Sequence, residues 1–115
     1  TFCTSREGPG MSAYSNLQRL TLVFPPAVEE RLLELLLEQD PPLPGFTVVA
    51  ADGHGADFAT ASLREQVRGR VARRMLLMVL PAERIEQLVA VLRASLPHPH
   101  VTWWVEPVLA FGRLA

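Results

Sequence analysis

Six stretches of the chain show the hydrophobic pattern of a strand or a helix. Apolar, β-branched and aromatic runs predict four strands, at about residues 20–24, 45–51, 71–80 and 101–105. Apolar residues that recur every three or four positions predict two helices, at residues 26–39 and 82–96. Prolines bound most of these stretches, as is common where strands and helices begin or end. The predicted order is therefore β-α-β-β-α-β.

This order predicts an α+β fold of the ferredoxin-like type, in which two helices cover one face of a four-stranded antiparallel sheet. Trp103 and Trp104 are consecutive on the last predicted strand, so their side chains point to opposite faces. One of them then lies on the uncovered face, together with apolar residues from the run 75–80. Such a patch is larger than a soluble monomer usually exposes. We expect this face to be a subunit interface; the alternative is that a terminal segment of the same chain covers it.

Length and composition limit the possible functions. The 115 residues are enough for one domain, which we expect at residues 17–115, behind a tail at residues 1–16 that derives in part from an expression tag. The net charge of −1 gives no support to a nucleic-acid binder. All 11 basic residues are arginine, which excludes catalysis through a lysine Schiff base. No Gly-x-Ser-x-Gly motif is present, so we expect a protein that is not an enzyme.

The single cysteine and the short apolar runs bear on the compartment. Cys3 has no second cysteine with which to form an internal disulfide, which is typical of a reducing environment. No apolar run reaches the roughly 20 residues that a membrane-spanning helix needs. We therefore expect a cytoplasmic protein that does not insert into the membrane.

The segment at residues 52–69 is the main candidate for a functional loop, because long loops without regular structure are uncommon in compact domains unless they bind something. Gly53 and Gly55 flank His54, and glycine permits a ligand to approach the backbone closely or the chain to adopt a positive φ. Asp57 supplies a hydrogen-bond acceptor. The alternative is that the glycines only let the chain leave the strand.

Five arginines follow on the far side of this loop. They are Arg64, Arg68, Arg70, Arg73 and Arg74. A guanidinium binds carboxylate or phosphate through paired N–H groups, so the cluster indicates a site for an anion or an acidic partner, with Arg68 as the first candidate. The alternative is that Arg73 or Arg74 forms an ordinary ion pair with glutamates of the first helix.

The three histidines are candidate metal ligands. His98 and His100 are separated by one residue, so an extended backbone would align their rings, and His54 is the third possible ligand. The alternative is that all three are surface histidines in turns. A metal-binding protein that takes up Cu or Zn, as in divalent-cation tolerance proteins, is therefore the second hypothesis for function.

Several of these segments together resemble the PII signal-transduction superfamily. The resemblance rests on Gly45-Phe46-Thr47-Val48, Asp52-Gly53-His54-Gly55, Arg68-Gly69, the run 74–80, and Pro81-Ala82-Glu83 at the start of a helix. With the ending Trp103-Trp104-Val105, the stretch 20–114 is most similar to the small PII-like family found beside bacterial heavy-metal efflux systems.

The resemblance implies a homotrimer whose sheets face inward and whose subunit clefts bind a small anionic effector. It also implies a T-loop, the loop between strands two and three, that signals to a partner such as a heavy-metal efflux transporter. Gly53, His54, Gly55, Asp57, Arg68, Gly69 and Arg113 are the ligand-binding residues expected on this basis. The alternative for Arg113 is that it lies in a frayed C-terminal tail and contacts no ligand.

The chain departs from the PII pattern in one loop. PII proteins have a glycine-rich, lysine-bearing loop between helix two and strand four, whereas residues 96–100 read Leu-Pro-His-Pro-His. Successive glycine amides and a lysine are what hold phosphates in such a loop. The departure speaks against ATP binding of the PII type and leaves the identity of any cofactor open.

Overall fold

The computed structural model describes residues 16–54 and 71–115 and has the predicted ferredoxin-like fold. The four strands are β1 (Leu17–Phe24), β2 (Thr47–Gly53), β3 (Val71–Pro81) and β4 (Thr102–Pro107). The helices are α1 (Glu29–Leu37) and α2 (Ala82–Ser95). All neighbouring strands are antiparallel, in the order β2-β3-β1-β4. The strands β1 and β3 are therefore central, and β2 and β4 are the edges.

The hydrophobic core lies between the sheet and the two helices. The even-numbered positions of the central strands face the helices, and their apolar side chains are buried: Leu20, Leu22, Phe24, Leu76, Met78 and Leu80. The helices contribute the predicted periodic positions: Leu32, Leu35, Leu36, Ile85, Leu88, Val89 and Leu92. Because each buried aliphatic or aromatic side chain contributes about 1.5–3 kcal/mol, this layer is the main source of stability.

The first helix is shorter than its sequence pattern predicts. A 3-10 turn at Pro26–Val28 precedes α1, and the helix ends at Leu37 instead of reaching residue 39. Pro25 and Pro26 supply no backbone N–H and fix φ, which suits a tight first turn. Two glutamates in the first turn of α1 then face the positive end of the helix dipole.

The second face of the sheet carries no helix. The register pairs Thr21 with Trp104 and Leu22 with Trp103, so Trp104 lies on the helix-free face and Trp103 on the helix side. The prediction that the two tryptophans point to opposite faces is confirmed. The middle of this helix-free face, here called the open face, is apolar: Val23, Val49, Met75, Leu77, Val79 and Trp104.

An ion pair lies at one end of the open face. Arg19 and Glu106 are paired across β1 and β4, and two guanidinium nitrogens of Arg19 donate to the same Glu106 oxygen at 3.1 and 2.6 Å. These hydrogen bonds, reinforced by the positive charge of Arg19, hold the pKa of the Glu106 carboxyl below its usual value, although partial desolvation opposes the effect.

This pair makes the stability of the fold depend on acidity. A carboxyl whose pKa is lower in the folded chain contributes stability above its unfolded pKa of about 4.3, and that contribution is lost as the pH falls through the folded value. We expect Glu106→Gln to reduce the loss of thermal stability between pH 6 and pH 3, measured by circular dichroism. Glu34→Gln, which removes a carboxylate from a longer 3.4 Å contact with Arg31, is the matched control. An unchanged acid profile in Glu106→Gln would contradict the role of the pair.

Neither of the helices within the described residues is long and apolar enough to cross a membrane.

Candidate functional site

The candidate site lies at the end of the sheet where the loop between β2 and β3 begins. Here β2 ends at Gly53 and β3 starts at Val71, opposite each other in the register. The chain leaves β1 at Phe24 and enters the 3-10 turn, and the turn before β4 lies at the same end. Four separate segments therefore contribute to one region.

Among the described residues of this region, Arg73 is the most deeply buried charged side chain. It lies on the open face of β3 with 8% of its surface exposed, and its Nη1 donates a hydrogen bond to the carbonyl oxygen of Ala72 at 2.9 Å. Gly53 makes room for the arginine, since a Cβ at Gly53 would lie 3.1 Å from Cγ of Arg73. The glycine at the base of the loop thus permits the arginine stem to cross the neighbouring strand.

The turn before β4 is organised by its two histidines. The backbone N–H of His100 donates to Nδ1 of His98 at 3.1 Å, and the two ring centroids are 5.6 Å apart. The carbonyl of His98 accepts a hydrogen bond from the N–H of Val101 at 3.1 Å, which connects the turn to β4. A neutral imidazole whose Nδ1 accepts a hydrogen bond carries its proton on Nε2. The Nε2 of His98 is therefore a donor in this conformation.

Arg73 and the two histidines surround a surface depression of about 350 Å³. The other described lining residues are all apolar: Pro25, Pro26, Ala27, Val71 and Ala72. No acidic side chain is among these lining residues, all of which the structure describes. The described lining therefore combines the positive charge of Arg73 with the Nε2–H donor of His98, and groups of this chemistry can bind a small anion.

The predicted ligand-binding residues are only partly within the described chain. Gly53 lies in β2 and His54 follows it directly, at the mouth of the loop. Gly55, Asp57, Arg68 and Gly69 lie outside the described residues, and those assignments stay predictions. Arg113 belongs to the exposed segment after β4.

The two adjacent arginines at the start of β3 have different environments. Arg74 faces the helices, and its Nε donates to Glu29 of α1 at 3.1 Å, as in the ion-pair alternative. Arg73 points to the other face and lines the depression.

Sequence reasoning missed this difference between the two arginines. It also missed that His98 and His100 line the same depression as Arg73. Strand alternation separates the two arginines, but only the strand register shows which one faces the helices.

The metal set His54, His98 and His100 also stays a prediction. Within residues 16–54 and 71–115, no three histidine, cysteine or carboxylate side chains are grouped closely enough to hold a metal ion. The Nδ1 of His98 already accepts the His100 N–H, so ligation through Nε2 requires the ring to change its protonation and that hydrogen bond to break.

A family model described as "Protein of unknown function (DUF3240)" matches residues 14–115, and the chain belongs to this family. No curated protein matches the chain. A solved DUF3240 family protein from Shewanella baltica OS155 has a similar structure, with a TM-score of 0.70 and 20% identity over 88% of this chain and 99% of that chain.

Two solved PII-type proteins have the same fold. One is a nitrogen regulatory PII-like protein from Thiomonas intermedia K12, bound to ADP, AMP and bicarbonate; its TM-score is 0.63 at 20% identity, covering 86% of this chain and 96% of that chain. The other is the PII protein of Arabidopsis thaliana bound to citrate, with a TM-score of 0.60 at 15% identity, covering 82% of this chain and 78% of that chain. At these identities the similarity shows a shared PII-like fold.

Proposed function

We propose that this member of the DUF3240 family is a PII-like regulatory protein, not an enzyme, that binds a small anionic effector at the depression around Arg73. The observation that carries the proposal is the convergence of Arg73, His98 and His100 at the end of the sheet where the β2–β3 loop starts. Bound anion would neutralise charge at the base of that loop. The loop would then change conformation, and a partner protein would bind one of its conformations.

The ligands of the structural neighbours support an anionic effector. The two PII-type neighbours bind ADP, AMP, bicarbonate and citrate, all of which are anions. The depression of about 350 Å³ accommodates a group the size of a phosphate, a carboxylate or bicarbonate. Since the turn has no glycine-rich segment and the chain no lysine, we expect its contacts with an oxyanion to come from arginine and imidazole donors.

The assembly in this proposal is a homotrimer held together by the open face. The apolar middle of that face is bordered by the Arg19–Glu106 pair at one end and by Arg73 at the other. An apolar centre with a polar border is the usual anatomy of a protein interface. In such a trimer we expect Arg73 to lie beside the neighbouring subunit and the effector site to lie in a cleft between subunits. A heavy-metal efflux transporter is the partner that we propose for the loop.

Calorimetric titration with ADP, AMP, citrate and bicarbonate tests the effector site. We expect at least one of these anions to bind and Arg73→Gln to weaken its binding by roughly 10-fold or more, because a hydrogen bond to a charged group contributes about 1.5–3 kcal/mol. Arg31→Gln removes the same charge from an exposed position on α1 and should leave the affinity unchanged.

A further variant and a check of the fold show whether the anion binds at Arg73. Arg73→Lys keeps the charge but not the planar pair of donors, so we expect an intermediate affinity. Circular dichroism of each variant checks that the fold is retained. If none of the four anions binds, or if Arg73→Gln and Arg31→Gln bind equally well, the effector site is not at this depression.

A further inference from the structure

A second cavity lies on the helix side of the sheet, between the end of α2 and the start of β4. It has a volume of about 230 Å³, and the core residue Leu22, which is 1% exposed, contributes to its lining. Leu92 of α2 and Trp103 of β4 also line it. Trp103 is still 40% exposed although it faces the helix layer, because α2 does not fully cover this edge strand. We call this cavity the Trp103 groove.

The charge of the Trp103 groove is positive. Among the described residues that line it, Arg93 is the one with a permanent charge, and its guanidinium carbon lies 5.8 Å from the centroid of a Trp103 ring. Within residues 16–54 and 71–115, Arg93 forms no ion pair, and no acidic residue lines the groove. An arginine stacked on an aromatic ring keeps the N–H groups at its edge directed away from the ring. In the described part of the chain, a cation therefore lies beside an apolar cavity with no acidic side chain paired to it.

We propose that the Trp103 groove binds a small apolar molecule that carries one carboxylate. The apolar part packs against Leu92 and Trp103, and the carboxylate accepts hydrogen bonds from Arg93. Sites for small molecules are typically apolar cavities with a few polar groups that fix the orientation of the ligand, and this groove has that composition. The volume suits a molecule with a single aromatic ring and a short acidic chain.

This site is independent of the proposed effector site. Trp103 and Trp104 point to opposite faces of the sheet, so the groove is on the far side from the open face and from Arg73. His98 is the one residue that lines both cavities. A negative result for ligand binding at one site therefore leaves the proposal for the other site standing.

Intrinsic fluorescence provides the test, because the chain has only two tryptophans with nearly equal exposure, 40% for Trp103 and 42% for Trp104. In Trp104→Phe the fluorescence comes from Trp103 alone, and in Trp103→Phe from Trp104 alone. We expect phenylacetate to give a saturable change with Trp104→Phe and none with Trp103→Phe. Collisional quenching increases linearly with ligand concentration and does not saturate, so saturation distinguishes binding from quenching even if assembly through the open face shields Trp104.

The role of Arg93 is tested with an uncharged ligand of similar shape. We expect 2-phenylethanol to bind at least tenfold more weakly than phenylacetate in the Trp104→Phe background. Adding Arg93→Gln should lower the affinity for phenylacetate to that of the alcohol, whereas Arg93→Lys should retain part of it. Ligand-observed NMR on the unsubstituted chain provides a measurement that requires no tryptophan replacement.

Four results would overturn the proposal. An equal response of both single-tryptophan variants means that no specific site exists. Equal affinity for acid and alcohol, or no effect of Arg93→Gln, removes the carboxylate subsite. A gain in phenylacetate affinity in Phe111→Ala, which truncates a 51% exposed side chain of the segment after β4, means that this segment from another copy occupies the groove.

Discussion

Trp104→Glu is expected to convert the assembled protein into monomers. Trp104 is 42% exposed in the single chain and lies on the open face at the edge strand β4, opposite Thr21 of β1. If this face is the interface, the variant places one uncompensated carboxylate per subunit in an apolar contact. Each buried unpaired charge costs several kcal/mol, and the cost is repeated in every subunit of a symmetric trimer.

Light scattering coupled to size exclusion measures this effect directly. The unsubstituted protein should have three times the chain mass of 12.7 kDa, and Trp104→Glu should have the chain mass itself. Leu37→Glu is the matched control, since Leu37 is a 77% exposed apolar residue on the helix side. A monomeric unsubstituted protein would refute the trimer. If Trp104→Glu remains trimeric, the subunit interface does not include this part of the open face.

Local pattern was sufficient to predict the fold because the apolar positions repeat with the periods of strands and helices. The prediction for Trp103 and Trp104 needed only the alternation of side chains along a strand. The start of β1 was missed because Leu17-Gln18-Arg19 contains polar residues; there the strand is supported by pairing on both sides and by the contact of Arg19 with Glu106. Polar residues at the end of a strand form contacts with other strands, and the local sequence pattern does not reveal these contacts.

The site was less predictable because it is assembled from distant segments. Arg73 and His98 lie 25 residues apart in the chain and meet only when the turn before β4 is placed beside the start of β3. From the sequence, both Arg73 and His98 were candidate site residues. The histidines, however, were predicted to bind a metal, and Arg68 was the first candidate for the anion site. The hydrogen bond from the His100 N–H to His98, which the sequence could not predict, depends on the shape of the turn.

Phe24→Ala should cause a large loss of stability and affect the candidate site as well. Phe24 is completely buried at the last position of β1 and belongs to the core cluster. Replacing a buried phenylalanine with alanine costs about 3–5 kcal/mol, because the cavity that remains refills only in part. For a domain whose total stability is about 5–15 kcal/mol, this is a large fraction. The expected fall in melting temperature is roughly 12–20 °C.

Phe24 also precedes Pro25 and Pro26, which form one wall of the depression around Arg73. Phe111→Ala is the matched control, since it makes the same chemical change in the segment after β4, and its expected cost to the fold is below about 0.5 kcal/mol. Both variants are compared by thermal denaturation at one protein concentration, because the melting temperature of a protein that assembles depends on its concentration. Equal effects of the two substitutions would contradict the assignment of Phe24 to the core. If Phe24→Ala also weakens anion binding at temperatures where it is folded, the end of β1 is what holds the effector site in shape.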